Sequence, residues 1–113
     1  MHFFAIQKVI KGIECRYNNG AIYRISKNNQ ILTRAHAEMF LGGNAKYLSS
    51  KGQFKFTKNK DDWFVETVST SSNDSFYNGK HLKGKEKISN GDKLGVGNAS
   101  KRKIVIEFEI KLY

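Results

Sequence analysis

The chain has 113 residues, with 20 Lys and Arg against 10 Asp and Glu, which gives a formal net charge of +10. This length predicts one domain over residues 1–113, and no apolar run approaches the roughly 18 residues of a membrane helix. The positive charge favours an anionic partner such as nucleic acid, acidic lipid or a phosphorylated protein, and alone does not choose among them.

Stretches rich in β-branched and aromatic residues alternate with short turn signals along the chain. The predicted strands are 2–10, 13–17, 21–25, 53–57, 63–68 and 103–113. One segment, Arg34 to Leu41, could form a helix, but it is too short to carry a fold. In the last strand, strict alternation predicts that Ile104, Ile106, Phe108, Ile110 and Leu112 share one buried face. This pattern predicts an all-β sandwich or barrel.

Residues that usually carry catalysis or metal binding are few and scattered. His2, His36 and His81 lack metal-ligand spacing, and the single cysteine, Cys15, is expected in the core rather than as a nucleophile. No Gly-rich phosphate-binding loop precedes a predicted helix, and no Asp or Glu residues are paired for general acid–base catalysis. The sequence therefore predicts no enzymatic activity, no metal and no cofactor. A lone cysteine and the absence of a secretory signal pattern in residues 1–8 predict an intracellular protein, nuclear or cytoplasmic.

Four short motifs occur in an informative order. They are Thr33-Arg34-Ala35-His36, Asn73-Asp74-Ser75, Asn78-Gly79 five residues after Asn73, and Gly91-Asp92-Lys93-Leu94-Gly95-Val96-Gly97. Together they resemble the forkhead-associated (FHA) domain family over roughly residues 23–113. The resemblance implies a sandwich of two antiparallel sheets with recognition loops at one end. It also implies phosphorylation-dependent signalling through binding of a phosphothreonine peptide on a partner protein.

The same resemblance assigns the binding residues. Arg34 would supply the cation for the phosphate and Thr33 a hydroxyl donor, which suits a group with roughly −1.5 to −2 charge and three acceptor oxygens. Asn73 and Asn78 would contact the peptide backbone, with Ser75 beside them. By resemblance, two further residues are structural neighbours of the site: His36 and Gly79.

Three features of the sequence depart from the family pattern. The family carries an Ile-Gly-Arg segment whose Arg contacts the phosphate, and here Ile25-Ser26-Lys27 makes Lys27 the expected second cation, with Arg24 as its rival. The stretch from Lys27 to Thr33 is several residues shorter than the family pattern. Asp74 replaces a glycine, and its charge would oppose a phosphate if it pointed into the site.

Two other functions remain open at this point. Lysines interleaved with Phe54, Phe56, Phe76 and Tyr77 are compatible with a single-stranded nucleic-acid surface, although Lys greatly outnumbers Arg. The shortened loop and Asp74 are compatible with a degenerate FHA fold used for phosphate-independent docking or dimerisation.

Overall fold

The computed structural model describes residues 9–68 and 71–113. In chain order its strands are β1 (Ile13–Arg16), β2 (Ile22–Ile25), β3 (Gln30–Leu32), β4 (Phe54–Asn59), β5 (Asp62–Thr67), β6 (Asp74–Tyr77), β7 (Lys80–His81), β8 (Glu86–Lys87), β9 (Lys93–Asn98) and β10 (Lys103–Leu112). Helix α1 (Arg34–Leu41) has the bounds expected from the sequence and continues into a 3-10 helix, Gly42–Tyr47. The strand predicted over 2–10 falls almost wholly outside the described residues.

The described strands form two antiparallel sheets, which confirms the predicted all-β class. A six-stranded sheet has the order β2-β1-β10-β9-β6-β7, and a four-stranded sheet has the order β3-β4-β5-β8. Their inner faces contribute to one apolar core, in which the Phe108 ring meets Phe40 and Phe54 edge-on at centroid distances of 5.1 and 5.9 Å. Such edge-to-face pairs add stability beyond the burial of the ring area.

A bulge in β10 corrects the predicted alternation of the last strand. Ile104 pairs with Gly97 and Ile106 with Val96, so two steps along β10 match one step along β9. A bulge of this kind reverses which face the following side chains occupy. Ile106 therefore faces the core as expected, whereas Ile104 lies on the outer face of the six-stranded sheet.

Strand direction gives the molecule two distinct ends. The helix end is the one that holds α1, the start of β6 with residues 71–73, and the turn 99–102. The hairpin end holds the turns 26–29 and 59–62 and the β6–β7 turn. Strand β4 joins the two ends, because its first residue pairs with Leu32 beside α1, whereas the Lys58 amide donates to Asn28 Oδ1 at 2.8 Å. At about 3.3 Å per residue, the six residues of β4 separate the ends by roughly 16 Å.

Candidate functional site

Thr33 and Arg34 lie at the junction between β3 and α1. Thr33 is the N-cap of the helix, with φ −90° and ψ 169°, and its Oγ1 accepts from the His36 amide at 3.3 Å. A threonine cap satisfies a helix amide that would otherwise lack a partner. The same hydroxyl keeps its own hydrogen to donate.

The Arg34 side chain is half-buried, and a hydrogen bond from Nε fixes one edge of its guanidinium group. Its Nε donates to the Leu48 carbonyl at 2.9 Å, and its backbone amide donates to the Ser49 carbonyl at 3.2 Å. Over residues 9–68 and 71–113, no carboxylate lies within ion-pair distance of this guanidinium. Its terminal N–H groups are therefore oriented by the protein without being neutralised by it.

The Gln53 side chain connects separate segments of the helix end through hydrogen bonds. Its side chain is fully buried, and Oε1 accepts from the Ser49 amide at 3.1 Å. Nε2 donates to the Asn73 carbonyl at 3.1 Å and to Ser75 Oγ at 2.7 Å. Because Ser49 also accepts from the Arg34 amide, this one glutamine connects the Arg34 and Asn73 segments. The partners lie up to 22 residues away in sequence, so no local pattern could have revealed Gln53 as part of the site.

Asn73 lies beside this network, as its motif requires. Its Nδ2 donates to the Tyr47 carbonyl at 2.7 Å. Asp74 turns to the outer face of the six-stranded sheet, where its carboxylate accepts from the Ala99 amide at 2.8 Å and lies 3.6 Å from His81 Nε2. The Asp74 charge therefore does not fill or oppose the space beside Arg34.

Ser75 occupies a different position from the one expected of a ligand-binding residue. It is 1% exposed, and its hydroxyl lies between Gln53 Nε2 and the Thr67 hydroxyl, each at 2.7 Å. The assignment of Ser75 as a peptide contact is corrected to an internal support of the Asn73 segment.

Asn78 and Gly79 form a hairpin turn at the other end of β6. Their φ values of 49° and 81° are both positive, as the two central residues of a type I′ turn require. Asn78 Oδ1 accepts from the Lys93 amide at 2.8 Å, and Nδ2 donates to Asp92 at 3.1 Å. Asn73 and Asn78 lie at opposite ends of the four-residue strand β6, so the structure does not bring Asn78 beside Arg34.

The two candidate second cations also lie away from Arg34. Lys27 is exposed in the turn 26–29 at the hairpin end, where its backbone amide donates to Gln30 Oε1 at 3.2 Å. Arg24 donates from Nε to Glu14 at 3.1 Å and lies over the Tyr113 ring. Neither residue joins Arg34 in a common site.

Two buried ionisable groups of β1, Glu14 and Cys15, have structural surroundings. Glu14 is 5% exposed, and hydrogen bonding from Arg16 holds the pKa of its carboxyl below the usual range, against the effect of burial and with further help from Arg24. Burial raises the pKa of the Cys15 thiol far above its ordinary value. A thiol that stays protonated is a poor nucleophile.

His36 packs as a neighbour of the site. Its ring stacks on Tyr23 with centroids 5.9 Å apart, and its buried Nδ1 has no hydrogen-bond partner among the described residues. The ring therefore supports α1 through packing.

The aromatic residues interleaved with lysines do not form a stacking surface. Phe54 and Phe56 are fully buried, and Phe76 is 5% exposed. The Tyr77 hydroxyl has its single hydrogen within reach of two acceptors, Asp92 Oδ2 at 2.6 Å and the Lys87 carbonyl at 2.8 Å. Bases stack on exposed aromatic faces, so these side chains give no support to a single-stranded nucleic-acid site.

The remaining observations concern the whole described chain. Within it, no three His, Cys, Asp or Glu side chains are grouped closely enough to hold a metal ion. None of the helices found there has the length and apolar character needed to cross a bilayer. Comparisons with protein-family models, curated proteins and solved structures gave no match. The FHA resemblance therefore rests on the ordered motifs themselves.

Proposed function

We propose that this chain is an FHA-like module that binds a phosphothreonine peptide at the helix end, with Arg34 as the principal phosphate contact. The observation that carries the proposal is the Arg34 guanidinium, fixed by the Leu48 carbonyl yet without an acidic partner in the described chain. Hydrogen bonds between ionised groups are about twice as strong as neutral ones, and a fixed Arg loses little freedom on making them. The Thr33 hydroxyl supplies a neutral donor on the same helix start.

The neighbouring loop supplies the second positive charge in this proposal. Ser49 to Gly52 form a turn closed by the Gly52 amide donating to the Ser49 carbonyl at 3.1 Å, and Lys51 is exposed within it. The same Ser49 carbonyl accepts from the Arg34 amide, so the turn and the helix start are adjacent. Lys51 is therefore the second cation of the proposed site, the role that the FHA resemblance gives to Lys27.

Two further features support binding over a purely structural use of the fold. Asp74 lies on the outer sheet face, so its carboxylate does not oppose a phosphate beside Arg34. Two antiparallel sheets with loops gathered beside α1 also agree with the architecture that the FHA motifs imply. The role is recognition of a partner protein and not catalysis.

The test is fluorescence polarisation with a degenerate phosphothreonine peptide library and its unphosphorylated counterpart. We expect binding of the phosphorylated library only. Arg34→Ala should weaken it by roughly 10- to 150-fold, the cost of about 1.5–3 kcal/mol for a hydrogen bond to a charged group. Lys27→Ala is the matched control, because it removes one exposed cation at the hairpin end, and its affinity should stay within about twofold of wild type.

Three outcomes would contradict the proposal. Equal binding of both libraries would show that phosphate is not recognised. Equal losses in Arg34→Ala and Lys27→Ala would show a general electrostatic attraction. Binding of neither library by the folded protein would favour the phosphate-independent docking alternative.

A further inference from the structure

A groove on the outer face of the six-stranded sheet lies apart from the Arg34 site. Its volume is about 280 Å³, and it is lined by Phe76, Gly79, His81, Ala99, Arg102 and Ile104. We call it the Phe76 groove. Strand β7 forms the edge of this sheet, so no further strand of the described chain lies beyond it.

Strand β9 presents Gly95 on this face of the sheet, beneath two side chains that line the groove. A Cβ at Gly95 would lie 2.9 Å from Ile104 Cγ2 and 3.6 Å from Phe76 Cβ, so these two side chains close over the bare backbone. The bulge in β10 places Ile104 here rather than in the core. Phe76 is 5% exposed and Ile104 is half-buried, which makes a recessed apolar floor.

Arginine and lysine residues predominate around this floor. Arg102 lines the groove without a carboxylate within ion-pair distance among the described residues, and His81 lines the other side. Lys80, Lys101 and Lys103 are exposed next to these two residues in sequence. Asp74 adds one carboxylate here, because Oδ2 accepts from the Ala99 amide at 2.8 Å and Oδ1 lies 3.6 Å from His81 Nε2; the four lysine and arginine residues named above outnumber it.

We propose that the Phe76 groove binds an acidic peptide segment of a partner protein, with one large apolar side chain on the floor and flanking carboxylates at Arg102 and the adjacent lysines. The volume lies below the roughly 300–1,000 Å³ of small-molecule pockets and suits a single side chain. Charge complementarity selects carboxylates, and Arg is well suited to bind them in a fixed geometry.

The shape of the groove favours a peptide over other anions. A nucleic-acid base needs an exposed aromatic face, and Phe76 offers almost none. A membrane surface needs apolar side chains that project outward, whereas Phe76 and Ile104 are recessed. An extended peptide can insert one side chain into such a recess while its acidic neighbours remain at the rim.

The experiment is an amide chemical-shift titration of the full chain with the peptide acetyl-Glu-Asp-Leu-Glu-Asp-amide. We expect saturable shifts at Gly79, His81, Ala99 and Ile104. Replacing the peptide Leu by Ala should weaken binding at least about tenfold, given about 1.5–3 kcal/mol for burying a leucine. Arg102→Glu should weaken binding by roughly tenfold or more.

Lys60→Glu is the matched control variant. It makes the same change of net charge at an exposed turn of the four-stranded sheet, and its affinity should stay within about twofold of wild type. Well-dispersed spectra of both variants would establish that each is folded. Phosphothreonine probes should shift Arg34 and Ser49 instead, so this proposal and the proposed function succeed or fail separately.

Several results would overturn the proposal. They are the absence of saturable shifts at the groove, equal losses in Arg102→Glu and Lys60→Glu, and equal binding of the Leu and Ala peptides. Stronger shifts at the same residues with a thymidine oligonucleotide, or with phosphatidylserine-containing vesicles, would assign the groove to that class of partner and refute the peptide.

Discussion

Replacement of Gln53 tests whether the helix end is organised around one buried side chain. Gln53→Met keeps nearly the same volume and shape, so little cavity or overpacking strain is expected. It removes the bonds to the Ser49 amide, the Asn73 carbonyl and Ser75 Oγ, which measure 3.1, 3.1 and 2.7 Å.

The magnitude follows from which groups lose Gln53 as a hydrogen-bond partner. Ser75 keeps its bond to the Thr67 hydroxyl at 2.7 Å, whereas the Ser49 amide and the Asn73 carbonyl lose Gln53 outright. Each buried polar group left unsatisfied costs about 1–3 kcal/mol, offset in part by the greater apolarity of Met. We therefore expect the free energy of unfolding to fall by about 2–4 kcal/mol, out of the 5–15 kcal/mol typical of a domain.

Urea denaturation followed by Trp63 fluorescence measures this change, because Trp63 is 1% exposed in the folded chain. With a slope of about 2 kcal/mol per molar urea, the middle of the usual range, the midpoint should fall by roughly 1–2 M. Thr67→Val is the control, since it leaves Ser75 bonded to Gln53 and should cost only about 0.5–1.5 kcal/mol. A Gln53→Met midpoint equal to that of wild type, or no lower than that of Thr67→Val, would refute the reasoning.

Three other outcomes follow from the contacts. The folded-state pKa of Glu14 lies below its ordinary value of about 4.5, so its ion pairs stabilise the fold above that pH and the contribution is lost as the pH falls through the folded value. The advantage of wild type over Glu14→Gln in urea unfolding, about 1–3 kcal/mol at pH 7, should therefore shrink below about pH 4.5, and a constant difference would contradict it. Gly97→Ala should lower the thermal midpoint through a cost of about 1–3 kcal/mol or more, because the new Cβ would overlap the Lys103 carbonyl; an unchanged midpoint would count against the β9–β10 register. Cys15, fully buried with a raised pKa, should resist iodoacetamide at about pH 8 until urea unfolds the chain, and rapid native alkylation detected by mass spectrometry would place it elsewhere.

Local patterns in the sequence were enough to predict the fold class. Alternation and turn residues define a strand through neighbours one or two positions away, and the helix signal over residues 34–41 has the same bounds in the structure. The bulge at Ile104 was not predictable in this way. The alternation of apolar residues continues unbroken through it, and only pairing with Gly97 and Val96 reveals the shift.

The candidate site was predictable in part. The Thr33-Arg34 and Asn73 motifs meet at the helix end through Gln53, which spacing alone could not show. The Asn78-Gly79 dipeptide is itself typical of a hairpin turn. Because a strand separates this turn from Asn73, the two asparagines lie at opposite ends of that strand. The motif resemblance assigns both asparagines to peptide binding, whereas hydrogen bonds through Gln53 connect only Asn73 to the Arg34 segment.

The most direct test of the central claim is to locate bound phosphate on the molecule. Blocked O-phosphothreonine, titrated into the labelled chain, should shift the amides of Thr33, Arg34 and Ser49 and the side-chain amide of Asn73. Unphosphorylated blocked threonine should shift none of them. Shifts centred instead on Lys27 and Asn78 at the hairpin end, or the same shifts from both compounds, would contradict a phosphate site organised by Arg34.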